Sequence, residues 1–275
     1  MNHNESMERE GKVAFPLLSS HNGAAALKRF LERHNYPALT PKAVLFDMDG
    51  VLFDSMPNHA SSWAKVCTDF GLNMTPEEAY MHEGRTGEAT IQILAQRYWK
   101  RPATAEEMEQ IYEAKCRLFN ACPEAPKMEG AAEVLKEVKN LGLTIAVVTG
   151  SGQQSLLQRL EDNYPGIFRP ELIVSSKDVR HGKPNPEPYL LGLERTGLKP
   201  WEAIVVENAP LGVQAAVAAG IFTIAVNTGP LPESVLLQSG ADLLFPSMTA
   251  LAEALHKATL SRELCSSCRR SYTPL

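Results

Sequence analysis

One stretch of the chain decides the fold, Ala43-Val44-Leu45-Phe46-Asp47-Met48-Asp49-Gly50, in which a short apolar run ends in two carboxylates and a glycine. Five further apolar runs follow it, at residues 143–148, 172–174, 204–206, 221–226 and 243–245. Each run is mostly apolar rather than alternating, which is typical of parallel strands that are buried on both faces. Helical spacing fills most of the intervals between them, so the pattern predicts an α/β fold, a parallel sheet covered by helices on both faces.

The interval between Ser55 and Met128 breaks this alternation, because it contains helical stripes of apolar residues and no convincing strand. Connections between consecutive strands are rarely so long, so we interpret the interval as an inserted all-α domain. A further helix is predicted at residues 24–34, ahead of the first strand. The predicted organisation is an N-terminal extension at 1–40, an α/β core at 41–56 and 128–257, the inserted helical domain at 57–127 and a C-terminal tail at 258–275.

The composition excludes several classes of protein. The 275 residues are 44% apolar and 21% charged, with a net charge of −5, as in globular proteins that bury a sizeable core. A negative balance argues against a nucleic-acid partner, which usually requires a basic surface. Residues 208–232 carry no charge, but proline, glycine and polar side chains interrupt them, so they favour a helix, a turn and a buried strand over a membrane span. We expect no membrane partner, and a monomer.

The cysteines and the N-terminus indicate the compartment. The chain has five cysteines, and an odd number without a secretory signal is typical of reduced thiols in the cytosol. Residues 1–12 are polar and contain no such signal. We therefore expect a cytoplasmic protein. Cys265 and Cys268 form a CxxC pair, but no second pair accompanies them, so we expect two free thiols rather than a zinc site.

Polar residues follow four of the predicted strands, at the point where each strand ends. They are Asp47 and Asp49 after the first strand, Thr149, Gly150 and Ser151 after the second, Lys183 in the loop after the third, and Glu207 and Asn208 after the fourth. Because the carboxyl ends of parallel strands meet at one edge of a sheet, where ligands bind in open α/β folds, we expect these side chains to converge.

This set of residue types suits phosphoryl transfer. Two carboxylates as close as Asp47 and Asp49 repel each other unless a cation lies between them, and oxygen ligands of this kind suit Mg²⁺. Thr149, the backbone N–H groups beside it and Lys183 would donate hydrogen bonds to phosphoryl oxygens. Since phosphoryl transfer depends mainly on in-line placement and charge neutralisation, the pattern predicts this chemistry.

Four motifs in this order resemble the haloacid dehalogenase superfamily, in its phosphatase and phosphomutase branch. The opening stretch, extended to Ser55, resembles the first motif, and the others are Val147-Val148-Thr149-Gly150-Ser151, Gly182-Lys183-Pro184-Asn185-Pro186 and Ile204-Val205-Val206-Glu207-Asn208-Ala209-Pro210-Leu211-Gly212. The resemblance covers residues 41–257, and within the branch it is to β-phosphoglucomutase-like proteins. It implies a Rossmann-like core with a mobile α-helical cap inserted after the first motif.

The resemblance also assigns roles to individual residues. It implies that Asp47 is the nucleophile that forms an aspartyl-phosphate, and that Asp49 is the general acid and base. Thr149 and Lys183 would hold the phosphoryl group, with Gly150 and Ser151 beside it. The cofactor implied is Mg²⁺, with ligands expected from Asp47, Asp49, Glu207 and Asn208.

The chain departs from the family pattern at two places. The fourth motif usually reads Glu-Asp in this branch, whereas here it reads Glu207-Asn208, and an Asn oxygen can ligate Mg²⁺ without contributing charge. In the cap, Glu83 and Gly87 stand where the resembled mutase has a lysine and an arginine. His59 matches a histidine of that family, and Arg85 is placed to meet an anionic substrate, so we expect both to bind substrate.

Three functions follow from this reading. The favoured one is a Mg²⁺-dependent phosphatase of a small phosphorylated metabolite, with a sugar phosphate expected, because the clamp for a second phosphate is not spelled out. The second is a β-phosphoglucomutase-type phosphosugar mutase, which passes the phosphoryl group to another hydroxyl instead of water. The third is a non-catalytic protein that binds phosphorylated metabolites in the same pocket.

Overall fold

The structure, a computed structural model, contains one six-stranded sheet within the residues that it describes, which are 15–152 and 156–270. All neighbouring strands are parallel, and their spatial order is β3-β2-β1-β4-β5-β6. The strands are β1 (Ala43–Phe46), β2 (Thr144–Val148), β3 (Ile173–Val174), β4 (Ala203–Glu207), β5 (Phe222–Val226) and β6 (Leu243–Phe245). The predicted parallel α/β sheet is confirmed, and each strand coincides with a predicted apolar run.

The described residues form eleven α-helices. They are α1 (His21–His34), α2 (Met56–Asp69), α3 (Pro76–Met81), α4 (Gly87–Tyr98), α5 (Ala105–Asn120), α6 (Ala131–Asn140), α7 (Leu156–Asn163), α8 (Glu187–Thr196), α9 (Pro210–Ala218), α10 (Glu233–Gln238) and α11 (Met248–Arg270). For Leu156 and residues 262–270 only the backbone is described. No helix among these residues is both long and apolar enough to cross a membrane.

Two hydrophobic clusters cover the two faces of the sheet. Successive side chains of a strand point to opposite faces, and β1 shows this directly. Val44 and Phe46 pack with apolar residues of α1, α6 and α11, whereas Ala43 and Leu45 pack with residues of α8 and α9. All four residues of β1 are buried, which explains why its sequence does not alternate between apolar and polar residues.

Four helices, α2 to α5, fill the interval between β1 and α6 and pack around a cluster of their own. Its buried members include Val66, Leu72, Ile91, Leu94 and Ile111. Each of these four helices presents an apolar stripe to this cluster, so the insert buries its own core beside the sheet. We call this helical insert the cap. The boundaries at residues 57 and 127 stay predictions.

The N-terminal extension is part of the core over the residues that the structure describes. Helix α1 begins three residues before the predicted helix, because Ser20 caps it by accepting a hydrogen bond from the Gly23 N–H at 3.1 Å. Phe30 of α1 is fully buried, and its ring lies 5.3 Å from that of Phe222 in β5. Arg33 donates to Asp242 at 2.8 Å, next to β6.

At the other terminus, α11 continues beyond the predicted start of the tail at residue 258, as far as Arg270. The sequence contains no glycine or proline between residues 247 and 270 that would end a helix earlier. The prediction of free thiols at Cys265 and Cys268 lies outside the side chains that the structure describes.

We predict that the extension stabilises the sheet through Phe30. The substitution Phe30→Ala should lower the free energy of unfolding by about 3–5 kcal/mol, because it leaves a cavity against β5. The measurement is urea denaturation followed by circular dichroism. Lys28→Ala, on the same helix with a side chain that is 77% exposed, is the control and should change stability by less than about 0.5 kcal/mol. Equal losses in both variants would show that α1 does not pack on the sheet as described.

Candidate active site

The polar residues predicted from the sequence lie together at the carboxyl edge of the sheet. Asp47 follows β1, Thr149 follows β2, Lys183 precedes α8 and Glu207 ends β4. All four are buried. The strand order reverses at β1, because β2 and β3 lie on one side of it and β4 to β6 on the other. Open α/β folds form a ligand crevice at such a switch point.

Lys183 lies at the centre of this group. Its Nζ donates hydrogen bonds to Asp47 Oδ1 at 2.5 Å, to Glu207 Oε1 at 2.6 Å and to the carbonyl oxygen of Val148 at 2.9 Å. Burial alone would lower the pKa of Lys183, but the two carboxylates outweigh it and the pKa lies above its usual value. The side chain is therefore a permanent cation that connects the ends of β1, β2 and β4.

Glu207 is fully occupied by its neighbours. Its Oε1 accepts from Lys183 and from the Tyr189 hydroxyl at 2.8 Å, and its Oε2 accepts from the N–H groups of Asn208 and Ala209 at 3.0 and 3.2 Å. With both oxygens bonded in this way, Glu207 holds Lys183 and the loop after β4 in place.

Asp47 and Asp49 have opposite electrostatic environments. Burial raises the pKa of Asp47, and the carboxylates of Glu207 and Asp49 add to this, with Lys183 opposing them. Burial also acts to raise the pKa of Asp49, but attraction to His59 and hydrogen bonds from His59 and Ser55 outweigh it and hold the pKa below its usual value. The hydroxyl of Ser55 donates to Asp49 Oδ1 at 2.5 Å.

His59 connects Asp49 to a buried lysine of the cap. His59 Nε2 lies 3.4 Å from Asp49 Oδ1, and His59 Nδ1 lies 2.8 Å from Lys115 Nζ. Burial lowers the pKa of His59 and outweighs the Asp49 carboxylate, which raises it, while Lys115 lowers it further. A proton on Nε2 faces the Asp49 carboxylate, and Nδ1 lies against the Lys115 ammonium. His59 thus acts on Asp49 as a hydrogen-bond donor.

Lys115 is a site residue that sequence reasoning missed. It falls in the apolar stripe of α5, between Tyr112 and Phe119, and the spacing of that stripe predicts a position in the hydrophobic core. It is only 3% exposed. The available signal was a charged residue at an inward-facing position, since a lysine is rarely buried without a partner.

Asn208 and Glu83 join the core to the cap. Asn208 Nδ2 donates to Glu83 Oε1 at 2.8 Å, and both residues are buried. Burial raises the pKa of Glu83 well above its usual value, and the nearby Asp47 raises it further. Asn208 Oδ1 is buried and has no hydrogen-bond partner within the described part of the chain. A buried amide oxygen usually has a hydrogen-bond donor, and where the protein supplies none, the oxygen suits a bound ligand such as a cation.

A divalent cation fits this donor set. The carboxylates of Asp47, Asp49, Glu83 and Glu207 lie close to one another, and on the core side Lys183 pairs with two of them, Asp47 and Glu207, so the site is rich in acidic groups. Among the described residues, no three acidic, histidine or cysteine side chains form a metal site by themselves. Lys183 occupies the space between Asp47 and Glu207, which leaves the Asn208 amide oxygen as an available ligand beside them. Hard oxygen donors of this type match Mg²⁺.

A cavity of about 70 Å³ lies between the core and the cap. Six of the predicted site residues line it, namely Asp47, Asp49, His59, Arg85, Gly150 and Ser151. Lys183 borders it through its bond to Asp47, and Thr149, Glu207 and Asn208 are not among the lining residues. Gly150 is needed where the cap approaches, because a Cβ there would lie 2.9 Å from the carbonyl oxygen of Gly84. We call this space the reaction cavity.

Comparison with known proteins agrees with this geometry. The model of the haloacid dehalogenase-like hydrolase family matches residues 44–226, which span the sheet from β1 to β5 together with the cap. The chain belongs to this family. The family predicted from the four motifs is thereby confirmed.

Two curated relatives and one solved structure illustrate the similarity. Hexitol phosphatase A of Escherichia coli K12 is 34% identical over 68% of this chain and 83% of its own. A phosphatase of phosphorylated carbohydrates from Thermotoga maritima is 31% identical over 73% of this chain and 92% of its own. A Bacteroides vulgatus protein, provisionally assigned as a beta-phosphoglucomutase, is 58% identical with a TM-score of 0.82, covering 85% of this chain and 96% of its own. These relatives confirm the predicted enzyme class, a phosphohydrolase or phosphomutase.

We predict that Lys183 stabilises the fold by neutralising the buried carboxylates. Lys183→Met should lower the free energy of unfolding by about 3–5 kcal/mol, because it leaves Asp47 and Glu207 buried without a cation. The double variant Lys183→Met/Asp47→Asn should lose less than the sum of the two single variants. Denaturant unfolding in the presence of a chelator measures this, with Lys136→Met, an exposed lysine of α6, as control. Strictly additive losses would contradict the proposed neutralisation.

Proposed function

We propose that the chain is a Mg²⁺-dependent phosphatase of a small phosphorylated metabolite, a sugar phosphate, and that it works through an aspartyl-phosphate on Asp47. The observation that carries this proposal is that two carboxylates with different hydrogen-bond partners line one cavity. Asp47 is buried against Lys183, and Asp49 is held by Ser55 and His59. The names of the relatives, which include a phosphatase of fructose 1-phosphate in Escherichia coli, support a phosphorylated sugar as substrate.

The reaction uses these residues in two steps. In the first, an Asp47 oxygen attacks phosphorus, the bond from phosphorus to the leaving oxygen breaks, and Asp49 gives that oxygen a proton. In the second, water attacks the phosphorus of the aspartyl-phosphate, Asp49 takes a proton from it, and the bond to Asp47 breaks to release phosphate. Lys183 and Thr149 hold the phosphoryl oxygens. Bound Mg²⁺ supplies further neutralisation of the transferred charge.

The low pKa of Asp49 fits the second step directly, because an ionised carboxylate is the base that step requires. For the first step Asp49 must be protonated, and the negative charge of a bound phosphoryl group favours this by raising its pKa. His59 Nε2, 3.4 Å from Asp49 Oδ1, keeps the carboxyl group oriented in both states.

Phosphatase activity is favoured over mutase activity by the groups that the cap presents. Glu83 replaces a lysine of the resembled mutase, and its carboxylate is bonded to Asn208. At Gly87, which replaces an arginine, a Cβ would lie 2.3 Å from the Tyr112 ring, so the ring fills that space. Neither position offers a cation to a second phosphate. The mutase stays the second candidate, because the Bacteroides vulgatus structure assigned to that activity is 58% identical.

Among the metal ligands, we assign Asn208 Oδ1, the Asp47 carboxylate and Asp49 to Mg²⁺, with the Asp49 side chain kept for proton transfer and Glu207 acting as the support of Lys183. The basis is that both oxygens of Glu207 already accept hydrogen bonds, whereas Asn208 Oδ1 is buried and has none among the described residues. A monomer and a cytoplasmic location stay expectations from the sequence.

We predict that Asp47→Asn abolishes phosphate release while the fold persists, because an amide is a far poorer nucleophile than a carboxylate. The assay is a Mg²⁺-dependent screen of sugar phosphates that measures both released phosphate and isomerised product. Asp69→Asn, at an exposed position of α2, is the control and should retain full activity. Isomerised product without phosphate release would identify a mutase. Turnover by Asp47→Asn above roughly a tenth of the unmodified rate would exclude Asp47 as the nucleophile.

We also predict that Asn208 sets the Mg²⁺ requirement. Asn208→Ala removes the amide oxygen and should raise the Mg²⁺ concentration for half-maximal activity by about tenfold or more, whereas Asn208→Asp adds charge and should lower it. The double variant Asn208→Asp/Glu83→Gln places an amide donor opposite the new carboxylate, and so separates the added charge from repulsion by Glu83. Asn140→Ala, exposed at the end of α6, is the control. An unchanged midpoint in Asn208→Ala would mean that the metal is held without this loop.

A further inference from the structure

A second groove opens beside the reaction cavity, between the start of α4 in the cap and the loop that precedes α8. Its volume is about 450 Å³. Its lining carries the cationic side chains Arg85, Arg180 and Lys183 together with His181, and no carboxylate; the other lining residues are Thr86, Ala89, Gly182, Pro184 and Asn185. We call it the basic groove.

The basic groove shares a lining residue with the reaction cavity. Arg85 lines both spaces. The walls of the groove meet where cap and core are in close contact. A Cβ at Gly182 would lie 2.7 Å from Thr86 Cγ2, and one at Gly84 would lie 2.9 Å from Lys183 Cδ. Arg85 is thus the residue that both a phosphorylated substrate in the reaction cavity and an anion in the groove could contact.

Two cations of the basic groove, Arg85 and Arg180, have no ionic partner among the described residues, whereas Lys183 is bonded to Asp47 and Glu207 and His181 lies 2.8 Å from Glu187. The chain as a whole carries a net charge of −5, yet the charged side chains that line the groove are all basic. Among the described residues, neither Arg85 nor Arg180 forms an ion pair with a carboxylate, although the backbone N–H of Arg180 donates to Glu187. Arg85 Nε is buried and has no hydrogen-bond partner there. A buried guanidinium nitrogen without a partner is costly unless a ligand supplies an acceptor.

We propose that the basic groove binds a second anionic group of the substrate through Arg85 and Arg180, so that the preferred substrates are phosphorylated sugars that carry a further phosphate or carboxylate. This inference rests on the proposed function, since it assumes that the phosphoryl group to be removed lies in the reaction cavity. It adds a specificity-determining role for the loop that contains Arg180. The guanidinium fork of arginine suits phosphate and carboxylate oxygens equally, so both anions belong to the expected class.

The test measures binding without turnover. In the Asp47→Asn background with Mg²⁺ present, isothermal titration calorimetry gives the dissociation constants of glucose 6-phosphate, 6-phosphogluconate and fructose 1,6-bisphosphate. The two substrates with a second anionic group should bind about tenfold more tightly than glucose 6-phosphate. Adding Arg180→Gln should reduce that preference by about fivefold or more, because the side chain is exposed and its loss removes charge and not packing. Arg169→Gln, an exposed arginine outside both cavities, is the matched control and should leave the preference unchanged.

Each outcome decides one of the two proposals. Equal affinity for all three compounds, or an unchanged preference in Arg180→Gln, overturns the second anion site. A stronger effect on the bisphosphate than on the sugar acid identifies phosphate as the second group, and the reverse identifies carboxylate. Absence of phosphate release by the unmodified chain, with the binding preference intact, overturns the phosphatase and leaves the second anion site standing.

Discussion

The ammonium of Lys183, held between Asp47 and Glu207, is the interaction on which the rest of the site depends. It joins the ends of three strands, because its third hydrogen bond is to the carbonyl of Val148 at the end of β2. Without this cation, the carboxylates of Asp47 and Glu207 would be buried and unpaired and would strongly destabilise the fold, since a buried charge needs a partner. The same contact that stabilises this edge of the sheet therefore orients Asp47 toward the reaction cavity.

The cap supplies the other half of the site. Lys115 acts on Asp49 through His59, and Glu83 bonds to Asn208 beside the proposed metal position. These contacts cross from a helical unit with its own hydrophobic cluster to loops of the sheet, so the relative position of cap and core sets the surroundings of Asp49 and Asn208. When the cap lies against the core in this way, it both excludes water and completes the site.

The charge distribution divides the cleft into two regions. The reaction cavity is rich in carboxylates and suits a divalent cation with a phosphoryl group, whereas the charged side chains that line the basic groove beside it are all basic. Arg85 belongs to both regions, so a substrate with two anionic groups would contact it from the cavity and from the groove. Specificity in such a cleft arises from where the cations lie, and not from the residues that carry out the chemistry.

The sequence alone determined the parallel sheet and the order of its polar loops, because buried parallel strands leave uniformly apolar runs and their carboxyl ends share one edge. Asp47, Asp49, Thr149, Lys183, Glu207 and Asn208 were identified in this way. Only the tertiary structure placed Lys115, Glu83 and Arg180 at the site, because each depends on how the cap lies against the core, a contact between residues that are far apart in the chain. The packing of α1 on β5 was likewise decided in three dimensions, since an amphipathic stripe shows that a helix buries one face without showing against which surface.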